Sequence, residues 1–427
     1  MVIMASELNG PSGSQTSSKL KVLEIKIHSL TWRLIRRYRI EILIFIFTLF
    51  AYHLSNLNHI GWYNHYVYLA DALIHGRLNL EGELWKYPLY NSDIVYVNGK
   101  AYIPFPPMPA ILLIPWTLFS GLNANQEFMT QLIGAINLVL AYKLFRRLKC
   151  NLHVALSLTI LLGFGTVHWY ASMIGTTWFY AHIVAVFFTL LALLELSGRS
   201  RPLIMGVLLG AAFLSRQLMM LSTPLFLMVL LKKGRGKLKG SIKFLAALAL
   251  IVSLYCLYNY VRLGSIFDST YNMLYAEYKP EAAERYGMFD INWIPSGIYI
   301  MLLKGPEIIG RFPNMPLTFP YFKPSPYGMS LLLVTPVFLY ALRARDKDPL
   351  TVGCWISVLA ISTASLMYFN HGWVQFGYRF SLDFTPFLMV LLTKAFRNRI
   401  TPLRLACIIY CILVNAWGVY WGNILYW

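Results

Sequence analysis

WFYAHIVAVFFTLLALLELS, residues 178–197, decides the fold class. The stretch holds one acid, Glu195, and one imidazole, His182. As an α-helix rising about 1.5 Å per residue it would be about 30 Å long, the thickness of a bilayer's hydrocarbon core. Arg199 and Arg201 follow at once, as expected where a helix ends on the cytoplasmic side. The rest of the chain repeats this pattern. Of 427 residues 57% are hydrophobic and 13% charged, with mean hydropathy +0.55. A soluble domain is about half apolar and a quarter charged. Composition therefore excludes a soluble enzyme, a disordered chain and a disulfide scaffold. It predicts an all-α polytopic membrane protein.

Apolar runs place crossings at 40–57, 127–145, 152–170, 178–197, 202–214, 217–231, 241–261, 327–342, 350–368, 383–396 and 402–421, eleven in all. The N-terminus is then cytoplasmic and the C-terminus outside. Residues 107–120 are short and hold three prolines, so they read as a re-entrant or juxtamembrane piece. Basic residues bracket 202–231, which makes this stretch a hairpin with Arg216 at its outer tip. Residues 1–39 form a cytoplasmic tail whose part 19–39 reads as a basic interfacial helix, and 40–427 form the transmembrane domain.

Under this threading the net charge of +19 separates into +20 on the inner side and −1 on the outer. The excess of cations is a positive-inside signal, and a nucleic-acid role loses its support. The five cysteines lie in or beside apolar runs, so neither a disulfide framework nor a metal site is expected, and no cofactor is called for. No N-x-S/T sequon occurs, which favours a bacterial cytoplasmic membrane.

The inner loops are short and basic, so chemistry belongs on the outer face, in loops near 58–126 and 262–326 and turns near 171–177 and 369–382. Residues 63–74 read as an amphipathic helix ended by Gly76, carrying His65 and Asp71 near the membrane surface. Residues 90–110 read as a hairpin about Asn98-Gly99, with Asp93 just before it and Tyr102 on its second strand. Sugar transfer from a lipid carrier needs a base for the acceptor hydroxyl and cations for the departing phosphate. Asp93 and Asp71 are the candidate bases, though a turn cap or a solvated surface acid explains either equally well. Arg216 is a phosphate candidate or a cation reaching the outer interface. Arg379 is a second, unless it only pairs with Asp383 at i, i+4. Lys304, Glu307 and Arg311 lie on an interfacial stretch; Lys304 and Arg311 would hold a diphosphate with Glu307 orienting one of them, or the three are solvated charges on a surface-lying helix. Trp178, Trp373 and Tyr102 are candidates to line the sugar site, with an interfacial aromatic belt as the plainer reading, and Tyr378 is a candidate beside Arg379 at the anion site.

HYVYLADALIHG (65–76), NGKAYIPFPPMPAILL (98–113), GAAFLSRQ (210–217) and FGYRFSLDFTPFL (376–388) together resemble the GT-C superfamily of membrane glycosyltransferases. The likeness is to the branch of protein O-mannosyltransferases and lipid A aminoarabinose transferases, in a divergent group with a G-x-x-Y-x-P-F-P-P-x-P-A pattern. The resemblance implies a polyprenyl-phosphate or polyprenyl-diphosphate sugar as donor and a lipid, glycan or protein as acceptor. That family's acidic pair falls here at Tyr63 and Asn64, and its lysine before two prolines at Phe105. Asp93 and Asp71 are substitutes by position. Two rival readings remain: a non-catalytic flippase or transporter of lipid-linked glycans, and a degenerate GT-C fold serving as an assembly partner.

Overall fold

A computed structural model describes residues 37–57, 61, 63–82, 93–232, 237–267, 270–275, 281–310 and 316–424. The basic stretch 19–36 and Arg311 lie outside the described residues. In chain order the elements are α1 (Arg37–Ser55), α2 (His65–Ile74), the hairpin β1 (Val95–Val97) and β2 (Lys100–Tyr102), and α3 (Met108–Ser120). Next come α4 (Gln126–Arg147), α5 (Leu152–Phe164), α6 (His168–Ile174), α7 (Thr177–Ser197), α8 (Pro202–Phe213), α9 (Thr223–Lys232) and α10 (Lys237–Leu263). The short α11 (Thr270–Leu274), α12 (Glu281–Tyr286), α13 (Ile294–Ile298), β3 (Glu307–Ile308), β4 (Phe322–Lys323) and α14 (Leu331–Val334) lead to α15 (Pro349–Leu366), α16 (Thr385–Phe396) and α17 (Pro402–Ile424).

The chain is an all-α polytopic membrane protein. Among the described residues six helices are long and apolar enough to cross a bilayer: α1, α4, α7, α10, α15 and α17. α5 and α6 form a further pair bent by 52°, and five shorter apolar helices complete the set. Several expected crossings are therefore broken or short. Residues 327–342 do not form one α-helix: the four-residue α14 stops at Thr335, and a 3-10 turn, Pro336–Arg343, continues. Pro336 explains the break, because a proline donates no backbone hydrogen bond and disfavours helix at the residue before it. Nor do the described residues of 304–322 form a surface helix; β3 pairs with β4 instead.

α7 is the central helix and packs on α4, α8 and α16. Its apolar side chains face other helices nearly all round, which accounts for the absence of a polar stripe in 178–197. α8 lies against α10 through Gly206 and Gly210. A Cβ at Gly206 would meet the Phe244 carbonyl oxygen and the Ala247 side chain, and one at Gly210 would meet Ile251. Two small residues four apart let the helix backbones approach closely, where lipid supplies no hydrophobic drive. Gly206→Leu is expected to destabilise the fold by about 1–3 kcal/mol, seen as a lower thermal midpoint in detergent. Gly240→Ala, whose Cβ would meet Pro202 Cγ at an ordinary 3.5 Å, should leave the midpoint unchanged or slightly higher.

One end of the bundle gathers cations. Arg147 Nη1 donates to Leu194 O at 2.6 Å, and Arg201 pairs with Glu195 at 2.8 Å. Lys394 meets Asp348 at 3.4 Å, and Arg404 Nη1 donates to Phe396 O at 2.8 Å. These contacts join the C-termini of α4, α7 and α16 to the N-termini of α8, α15 and α17. α17 then runs to the opposite end, where Asn423 Nδ2 donates to Ser55 O at the close of α1.

At that opposite end α2 runs from His65 to Ile74, and Gly76 takes the left-handed φ of 68° that lets the chain turn away. The β1–β2 turn has Asn98 at φ 50° and Gly99 at φ 75°, the pair of positive values that matches the twist of a two-residue hairpin.

Candidate active site

A cavity of about 140 Å³ opens at the end away from the cationic clusters. A single water needs roughly 10–15 Å³ by the same measure, so there is room for about ten, or for one sugar ring. Its walls come from the N-terminal part of α7, the turn that follows α8, the turn that precedes α16, the C-terminal end of α15, and α11. Asp93, Trp178, His182, Arg216 and Arg379 all line it. Of the residues singled out from sequence, the structure brings Asp93, Trp178, Arg216 and Arg379 together.

Arg216 sits where the chain breaks between α8 and a 3-10 turn, Gln217–Ser222, with extended backbone. Its Nη2 donates to Asp383 Oδ2 at 3.0 Å and its Nε to the same oxygen at 3.2 Å. Asp383 is fully buried at the end of the 3-10 turn Arg379–Asp383, which precedes α16. Its other oxygen accepts from His182 Nδ1 at 2.7 Å. The expected Arg379–Asp383 pairing is thus corrected. A 3-10 turn places the two side chains differently from an α-helical i, i+4 pair, and Asp383 turns to His182 and Arg216.

Arg379 is buried as well. Its Nη1 donates to Trp373 O at 3.5 Å, and its Nε has no hydrogen-bond partner among the described residues. The guanidinium carbons of Arg216 and Arg379 lie 5.4 and 5.3 Å from the centroid of one ring, Phe380. A buried guanidinium with an unfilled donor is chemically suited to an anion, because a phosphate bound there would return its desolvation cost.

Asp93 stands before β1 in the left-handed region, φ 54°. Burial pushes its carboxyl from the usual 3.8 up to about 6; the charge of Arg379 and a hydrogen bond from Trp178 oppose the rise. A carboxylate with a pKa near 6 is ionised at neutral pH and still basic enough to take a hydroxyl proton in a transition state. Tyr63 braces Trp178 from behind, ring centroids 4.8 Å apart. On the other side Asn370 Nδ2 donates to Tyr275 Oη at 3.1 Å, and Tyr271 and Tyr368 extend the aromatic wall.

The other candidates lie elsewhere. Asp71 pairs on α2 with Arg77 at 3.8 Å and with His75 at 3.6 Å. His65 is buried behind Trp178, its Nδ1 3.0 Å from Thr177 Oγ1. Tyr102 is buried under the guanidinium of Arg262. Tyr378 is buried edge-on to Phe380. Trp373 is 55% exposed and takes part through its carbonyl. Lys304 lies over the Tyr327 ring at 5.2 Å, and Glu307 faces Lys323 at 3.7 Å. None of these seven lines the cavity. Sequence reasoning missed Asp383 as the partner of Arg216, and missed Tyr271, Tyr275, Tyr368 and Asn370. For Asp383 a signal existed: an acid inside FSLDFTPF is costly unless it is paired. Among the described residues no three His, Cys, Asp or Glu side chains group as metal ligands.

No protein-family model matches the chain. No curated protein matches it either. Among solved structures it is similar to the S. cerevisiae protein O-mannosyltransferase Pmt1-Pmt2 complex bound to the sugar donor, at 16% identity and a TM-score of 0.35. The overlap covers 53% of this chain and 34% of that one, so the chain spans about a third of the structure it matches. A likeness of that size carries no functional weight, and the site rests on its own geometry.

Proposed function

We propose that the protein is a membrane glycosyltransferase that moves a sugar from a polyprenyl-phosphate or polyprenyl-diphosphate carrier to an acceptor at the outer face. The observation that carries the reading is the cavity itself: a carboxyl with a pKa of about 6 facing two largely buried guanidiniums inside an aromatic wall. Asp93 takes the proton of the acceptor hydroxyl. The acceptor oxygen bonds to the anomeric carbon, and the bond from that carbon to the carrier phosphate breaks with its electron pair going to the phosphate. Arg379, with Arg216 beside it, stabilises the charge that develops there. Trp178 offers a ring face to the sugar. With the cationic end taken as cytoplasmic, the cavity and the close of α1 and α17 lie outside, and the N-terminal tail lies inside, as in a bacterial cytoplasmic membrane.

The test uses the full chain in lipid nanodiscs with labelled polyprenyl-phosphate and polyprenyl-diphosphate sugars and a panel of lipid, glycan and protein acceptors. Release of the lipid phosphate supports the reading. Tight donor binding without turnover across the panel would replace it with a binding or scaffold role, and movement of intact donor between leaflets with a flippase. Turnover should rise about tenfold per pH unit below pH 6 and level off above it, because only ionised Asp93 accepts a proton. A flat profile between pH 5 and 7 would remove Asp93 from the role of base.

A further inference from the structure

His182 has an arrangement that phosphate binding and proton removal by Asp93 leave unexplained. It lies on the second turn of α7, is buried, and lines the cavity. Its Nδ1 is 2.7 Å from Asp383 Oδ1, and a carboxylate can only accept, so Nδ1 carries the hydrogen. Asp383 is also held by the Arg216 fork, so its orientation is fixed from two elements 167 and 201 residues away in sequence. Nε2 has no hydrogen-bond partner among the described residues. Asp383 and the ionised Asp93 already balance Arg216 and Arg379; a third cation there would go uncompensated. The ring is therefore the neutral tautomer with hydrogen on Nδ1, and Nε2 presents a lone pair.

We propose that His182 and Asp383 form a hydrogen-bonding dyad in which Nε2 accepts a hydroxyl of the sugar carried by the lipid donor. The proposal rests on the glycosyltransferase reading and names the chemistry that reads the sugar: a hydroxyl donating beside the phosphate, as opposed to a carboxylate, which can only accept, or a deoxy position, which has nothing to donate. His182 is the specificity residue. Asp383 does not line the cavity and acts through His182 and Arg216, as a positioning residue. A site built to accept a hydroxyl rejects the analogue lacking it, because its own buried acceptor is left unpaired.

The experiment measures binding of two probes to the full chain in nanodiscs: polyprenyl phosphate alone and polyprenyl-phosphate hexose. The quantity read is the gain in affinity that the hexose brings. His182→Asn keeps a donor towards Asp383 and deletes the acceptor at Nε2; His182→Gln puts an amide oxygen near the Nε2 position. His182→Asn is expected to lose about three- to tenfold of the hexose gain, with binding of the bare phosphate unchanged and the loss partly restored in His182→Gln. An unchanged gain in His182→Asn, or equal losses in both variants, overturns the proposal. Absence of polyprenyl phosphate binding to the unaltered chain would instead overturn the glycosyltransferase reading, so the two failures are distinct.

Discussion

Asp93→Asn is expected to abolish sugar transfer and to make the folded chain more stable. Ionising this carboxyl in the folded state is uphill. A pKa raised from 3.8 to about 6 means the native chain holds the proton more tightly than the unfolded chain does. Stability therefore falls as pH rises between about 4 and 6, and the whole cost is present above 6. The shift corresponds to about 3 kcal/mol, and contact with water at this half-buried residue reduces it to about 1–3 kcal/mol. Asparagine keeps the shape, sheds the charge and tolerates the left-handed backbone. Removing the base lowers the rate by about 10²–10⁴-fold. Lipid-phosphate release and thermal unfolding at pH 7.5 in the same detergent check both halves. A variant that is both inactive and less stable would point to Asp93 as a turn anchor and sink its catalytic role.

Asp383→Leu should be the most damaging single change at the site. It strands Arg216, only 21% exposed, beside an apolar wall and takes the acceptor from His182. Breaking one side of a buried ion pair costs about 3–5 kcal/mol, whereas replacing both sides with apolar groups is often neutral. The double variant Asp383→Leu/Arg216→Met is therefore expected to recover most of the stability and none of the activity. Monodispersity and unfolding midpoints of the two singles and the double give the coupling. Additive losses would mean that the pair does not organise the site.

Features set by local sequence were legible. The stretch 178–197 becomes α7 within one residue at its start, the Asn98-Gly99 turn closes the hairpin, and α2 ends before Gly76 as the glycine implied. Among the described residues Arg201 collects with Arg147, Lys394 and Arg404 at one end of the bundle. Hydrophobic length did not reveal which runs would be broken. Pro336 converts a crossing-length run into a 3-10 turn, and a 16-residue apolar count cannot carry that distinction. The dyad was illegible for another reason. His182 and Asp383 are 201 residues apart, and no periodicity links them. Asp383 looked accounted for locally, by Arg379 four residues before it. Only packing of α7 against the turn before α16 puts them in one plane of contact.

The left-handed backbone at position 93 has a consequence for any saturation library made there. Such a library passes through two independent filters. The chain conformation admits glycine, asparagine and aspartate and penalises every β-branched or bulky residue, whatever its charge. The chemistry then selects among those three for the one with a titrating oxygen. Glutamate, the usual like-for-like exchange for aspartate, carries a backbone cost of about 1–2 kcal/mol at the first filter before its acidity is tried. Survivors sorted by folding alone should thus be enriched in Gly, Asn and Asp, and sorting the same pool by turnover should favour aspartate among those three.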